Sequence, residues 1–160
     1  MIGVWVLLGA LVIAGVAGWW LRASNGRIRL SSAQRSSAAP TAAVASTAEP
    51  RTAADDLPEP IRAALDPTAA VTLVQLSTTF CASCRQAGKL LTGFAADTAG
   101  VSHVELDVTE EPAVATKVGV MRTPTTLALA PDGTELLRVG GVPKRDTLLD
   151  ALRPHLPASA

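Results

Sequence analysis

Between Val71 and Leu156 the spacing of apolar positions switches repeatedly between strand and helix periods, and each switch predicts an element. Val71-Thr72-Leu73-Val74-Gln75-Leu76 is a nearly continuous apolar run and reads as a buried strand, Val71–Ser77. From Arg85 to Ala99, Leu90, Leu91, Phe94 and Ala95 share one face of a helix that Gly100 ends. Ser102 to Val108 alternates His103, Glu105 and Asp107 with Val104, Leu106 and Val108, a strand of period two. Glu111 to Val118 is a short helix stopped by Gly119. Thr125–Ala130 and Glu135–Val139 are strands joined as a hairpin through Pro131-Asp132-Gly133, with Gly140-Gly141 as the break. Pro143 opens a last helix carrying Leu148, Leu149, Leu152 and Leu156, and Leu57 to Leu65 is a short lead-in helix stopped by Asp66-Pro67. The order strand, helix, strand, helix, strand, strand, helix predicts an α/β domain over 61–157. It is a mixed β-sheet flanked by helices, with its first strand in the interior.

The first residues follow neither period. Ile2 to Leu21 is uncharged, and at 1.5 Å per residue its 20 residues would reach ~30 Å, the thickness of a bilayer's hydrocarbon core. Trp5 near one end and Trp19-Trp20 at the other suit the two interfaces. A cleaved signal peptide would want a charged start and small residues at a cleavage site, whereas Trp19, Trp20 and Leu21 close this run. The expectation is one retained N-terminal transmembrane helix, 2–21. Residues 22–57 follow as a basic juxtamembrane segment and a flexible linker. From Ser31 to about Leu57 that linker is Ser, Ala, Thr and Pro with hardly a large apolar side chain, too little to offset the entropy of ordering. As a 27-residue coil it would span ~28 Å r.m.s., letting the domain patrol a patch of membrane.

Charge sets an expected orientation. Lys+Arg and Asp+Glu balance at 14 each, but Arg22, Arg27, Arg29 and Arg35 all precede the first acidic residue, Glu49. With the arginines after the span, the positive-inside rule places the catalytic domain in the cytoplasm, on a single-pass membrane protein. Neutral net charge and scarce aromatics argue against nucleic acid as a partner.

The candidate chemistry sits at the first strand-to-helix turn, Phe80-Cys81-Ala82-Ser83-Cys84-Arg85. Two cysteines three apart can close a small disulfide. The first meets unpaired helix N–H groups that favour its thiolate, so the pair suits a reversible dithiol. Zinc would need four ligands, and the only imidazoles, His103 and His155, are distant in sequence. A purely structural disulfide would close a longer loop, where it removes more chain entropy. No metal site and no cofactor are expected. Both histidines read as structural, and Arg85 as solvated.

With these elements in place, the region from about Val71 to Leu156 resembles the thioredoxin family. The C-x-x-C lies at a strand–helix turn, Thr123-Pro124-Thr125 precedes the third strand, a Val-Gly follows the hairpin, and an amphipathic helix closes the domain. The resemblance implies a thiol–disulfide oxidoreductase that exchanges with protein disulfide or dithiol substrates and with a separate reductase or oxidant. It also implies a cis Thr123–Pro124 bond packed against the disulfide, and a substrate surface from Phe80, Thr123, Pro124 and Gly141. Two departures stand out. Ala82-Ser83 replaces the usual Gly-Pro between the cysteines. Gln75 stands where members carry a buried Asp, and Glu105 where they usually carry a Lys. The expectation is that the carboxylate has moved, so that Glu105 relays the proton of Cys84, oriented by Gln75, while Cys81 is the nucleophile and Phe80 an apolar shield. Two other readings are an extracytoplasmic exchange protein for exported proteins, and a thioredoxin-like binding module without catalysis.

Overall fold

The computed structural model describes residues 12, 13, 15, 27–30 and 53–157. The expected span 2–21, but for Val12, Ile13 and Gly15, and most of 22–57 lie outside the described residues. Among the described residues no helix is long and apolar enough to cross a membrane.

The described chain forms a five-stranded sheet in the order β1-β5-β4-β2-β3. The strands are β1 Arg27–Leu30, β2 Val71–Ser77, β3 Val101–Asp107, β4 Thr125–Leu129 and β5 Glu135–Gly140. The helices are α1 Glu59–Ala63, α2 Ala82–Asp97, α3 Pro112–Lys117 and α4 Arg145–Leu152. β2 and β3 run parallel, and every other pairing is antiparallel. All seven residues of β2 are buried, Thr72, Gln75 and Ser77 included, as its nearly continuous apolar run predicts for a strand covered on both faces. One face of the sheet, with Val71, Leu73, Ala128, Leu137 and Val139, packs on Leu91 and Phe94 of α2 and Leu148 and Leu152 of α4. The other, with Val74, Leu76, Leu127 and Leu129, packs on Ile61 of α1 and Val114 of α3.

Three local differences from the sequence reading have physical causes. Helix α2 begins at Ala82, three residues before Arg85, because Cys81 is its N-cap and accepts the Cys84 N–H, so both cysteines join the helix start. The last helix begins at Arg145, two residues after Pro143, with Lys144 as its N-cap. The larger difference is β1. Arg27–Leu30, read as part of the juxtamembrane segment, pairs antiparallel with β5 from Arg27↔Gly140 to Leu30↔Leu137. Its four residues are too short and too charged to announce a strand by period. A free backbone edge on β5 supplies what the pattern lacks.

The β4–β5 turn shows how closely the described N-terminal portion packs. Gly133 has φ +84°, and a Cβ there would stand 2.5 Å from the Cα and N of Ala54, whose N–H donates to Asp132 O at 2.9 Å. Gly93, within α2, would meet nothing within 4 Å. Gly133→Ala should therefore lower the unfolding free energy by more than ~1 kcal/mol. Gly93→Ala should raise it by about 1 kcal/mol, the cost of glycine inside a helix. Urea denaturation of the two variants would read both signs.

Candidate active site

Cys81 and Cys84 form a disulfide with Cα atoms 5.2 Å apart at the start of α2. Cys84 N donates to Cys81 Sγ at 3.1 Å, so a helix N–H with no intrahelical acceptor is spent on the sulfur. Cys81 is half-buried and Cys84 only 2 % exposed. An incoming sulfur can reach the first and not the second.

Other loops fix this turn from outside. Thr79 N donates to Thr109 Oγ1 at 2.9 Å and Thr79 Oγ1 to Asp107 Oδ2 at 3.2 Å, tying the segment before Cys81 to the end of β3. The Asp107 carboxyl is held below the usual carboxylate range, chiefly by hydrogen bonds from Thr109. On the opposite side, Thr78 Oγ1 and Thr123 Oγ1 lie 3.2 Å apart, and the Thr123–Pro124 bond is cis, as the resemblance implied. Pro124 is buried, and its carbonyl accepts from Gly141 N at 2.8 Å. Cys81, Cys84, Thr123, Pro124 and Gly141 thus gather at one end of the sheet.

Phe80 joins them differently from the expectation. It is 97 % exposed and therefore shields nothing; its ring is free for an incoming chain. Met121, in the loop leading to Pro124, is 92 % exposed and was not anticipated. Its only signal was a large apolar residue in a segment, Gly119 to Pro124, that belongs to no periodic element. Beside it lies a cleft of about 430 Å³ whose walls include Met121, Arg122, Thr125 and Gly140.

Beneath Cys84 is a polar cluster in an otherwise apolar interior. Gln75 is fully buried, and its Nε2 lies 3.0 Å from each of three acceptors: Cys84 O, Ser77 Oγ and Glu105 Oε1. Ser77 Oγ also donates to Glu105 Oε1. Gln75 and Glu105 are register partners on β2 and β3, which is why the two side chains meet. Glu105 lies on the edge strand and is exposed, yet its Oε1 bonds within the cluster. The link from Glu105 to the cysteine pair runs through Gln75. Gln75 Oε1 is buried without a partner. Two contributors escaped the sequence reading. Ser77 could have been found as a second polar residue two positions from Gln75 on a buried strand. Gly88 could not, because a Cβ there would stand 3.1 Å from Glu105 Oε2, a contact made only across the fold.

A half-exposed sulfur bonded to a buried one at a capped helix start, opposite a cis-proline, defines a thiol–disulfide oxidoreductase. Comparisons with known proteins agree. A family model described as Thioredoxin matches residues 59–154. The thioredoxin of Staphylococcus aureus is 35 % identical over 87 residues, which cover 54 % of this chain and 83 % of that protein. A mutant thioredoxin from Halobacterium salinarum matches the fold with a TM-score of 0.50 at 24 % identity, over 57 % of this chain and 80 % of that one. The chain belongs to the thioredoxin family.

His103 stands apart from the cysteines, packed on α2 with Nδ1 3.1 Å from Thr92 Oγ1 and Nε2 buried without a partner. Burial lowers its pKa below the ordinary imidazole value, and Glu105 opposes that shift. Between the lowered folded value and ~6.5 the unfolded chain binds more protons, so stability rises with pH there by at most about 1.4 kcal/mol per unit. The contribution is complete above ~6.5 and is lost as pH falls through the folded value. Urea denaturation from pH 7 to 5 should show this decline, and His103→Gln should make it shallower.

Proposed function

We propose that this chain is a membrane-anchored thiol–disulfide oxidoreductase whose domain works on the cytoplasmic side, held by Ile2–Leu21. The observation that carries the redox reading is the Cys81–Cys84 disulfide, with its first sulfur accessible and its second buried. The anchor and its orientation are supported by the uncharged run and by the arginines that follow it.

Starting from the reduced dithiol, the Cys81 thiolate attacks one sulfur of a protein disulfide. The other substrate sulfur leaves as a thiolate, and a mixed disulfide forms. Cys84 loses its proton and attacks Cys81 Sγ, releasing the second substrate thiolate. The substrate gains two electrons, and the enzyme is left with the disulfide present in this structure. A separate dithiol reductant returns it to the start. The capping N–H, by stabilising a Cys81 thiolate, makes Cys81 a better leaving group when the reductant's second thiol resolves its mixed disulfide with Cys81.

Glu105 accepts the Cys84 proton in this reading, with Gln75 and Ser77 holding its carboxylate. Gln75 carries no titratable proton, so Glu105 is the group of this hydrogen-bonded cluster that can accept one. Phe80, Thr123, Pro124 and Gly141 form the substrate surface, with Met121 added to it.

Cys81→Ser should abolish reduction of insulin disulfides. Cys84→Ser should trap mixed disulfides that can be identified, and its Cys81 should resist a membrane-impermeant thiol reagent applied to intact cells. Insulin reduction unaffected by either change would sink the assignment. Glu105→Gln should slow turnover about tenfold or more and alter its pH profile between pH 6 and 9. A profile identical to that of the unaltered protein would remove Glu105 from the mechanism.

A further inference from the structure

The register of β1 determines where a membrane span would attach to this domain. One rung of the sheet runs Leu76–Thr125–Gly140–Arg27. Leu76 is the penultimate residue of β2, just before the turn that carries Cys81, and Arg27 is the first residue of β1. At about 4.8 Å between neighbouring strands, the two lie roughly 14 Å apart across the sheet. The chain therefore enters the domain at its disulfide end.

Only Arg22–Gly26 separate the apolar run from β1. Five residues reach at most about 18 Å, even fully extended. Turning the domain over would lift Arg27 by at least the five intervals from Leu76 to Val71, about 17 Å at 3.3 Å per residue, and would hold that leash almost fully extended. A linker free as far as Leu57 would impose no such limit. The docked strand thus replaces a long tether with a short one tied at a defined place.

We propose that the Cys81–Cys84 end of the domain faces the bilayer, and that its substrates are cysteine pairs of membrane-embedded proteins lying at that surface. The inference rests on the anchor proposed above. Phe80, next to Cys81 in the chain, and Met121, in the loop leading to Pro124, are 97 % and 92 % exposed and are the large apolar side chains this end would present to such a partner or to the interface.

The test uses the full chain carrying Cys84→Ser, reconstituted into phosphatidylcholine vesicles that contain some phosphatidylethanolamine with a pyridyl disulfide on its headgroup. The Cys81 thiolate attacks the lipid-side sulfur, forms a mixed disulfide and releases pyridine-2-thione, which is read by absorbance. Its rate is divided by that with a soluble pyridyl disulfide. The reference is a chain with Cys81→Ser, Cys84→Ser and Thr68→Cys, whose single thiol lies in the loop before β2, at the opposite end of the sheet. The ratio for Cys81 should exceed the reference by about tenfold, the gain in effective concentration at a surface. Ile28→Pro, which breaks the β1 ladder, should bring the ratio down to the reference without changing the soluble rate. Equal ratios in protein that floats with the vesicles would overturn the inference and leave the anchor standing. Protein that fails to float would remove the anchor, and the inference with it.

Discussion

The hydrogen bond from Cys84 N to Cys81 Sγ is the constraint on which the site depends. It makes Cys81 the cap of α2, so the helix must start at Ala82 and direct its free N–H groups at the reacting sulfur. That start is possible only because β2 ends at Ser77 and the short segment after it is held on both sides. Thr79 is tied to Thr109 and Asp107, and Thr78 meets Thr123 beside the cis-proline. The helix in turn is locked by Leu91 and Phe94, which lie with Val71 and Leu73 in one buried cluster. Apolar burial over the length of α2 thus fixes the position of one sulfur at its tip.

The same geometry shows how a carboxylate can sit near a buried thiol at modest cost. A charge taken wholly into an apolar interior is expensive unless it is paired and hydrogen-bonded. Here the interior strand β2 carries a neutral amide, Gln75, and the carboxylate lies on the edge strand, where Glu105 keeps contact with solvent. One oxygen is bonded to Gln75 and Ser77, and the other lies over Gly88, whose missing Cβ leaves it room. The arrangement depends on register, because the parallel pairing sets Gln75 directly beside Glu105.

Strand β1 alters the picture of the chain before the domain. Residues 22–57, read from composition alone, are a tether. Paired with β5, four of them become part of the sheet, and the domain acquires a fixed side from which the N-terminal residues depart. A change of four hydrogen-bonded residues matters here because it converts a question of reach into one of orientation.

The strand, helix and turn assignments between Val71 and Leu152 were legible because burial on one or two faces imposes a period, and glycine and proline mark its interruptions. The dithiol was legible because two cysteines at a strand–helix turn have few other uses, and the cis-proline through resemblance to a family. What the order of residues could not decide were pairings between distant segments. These include β1 on the free edge of β5, Glu105 turned toward Gln75, Gly88 left open for a carboxylate, and Phe80 and Met121 exposed at the same end of the sheet. Each depends on a contact across the sheet or between loops, whose energy exists only once the layers have packed. Local propensity and period are properties of neighbours in sequence, whereas register, close approach and exposure are properties of neighbours in space.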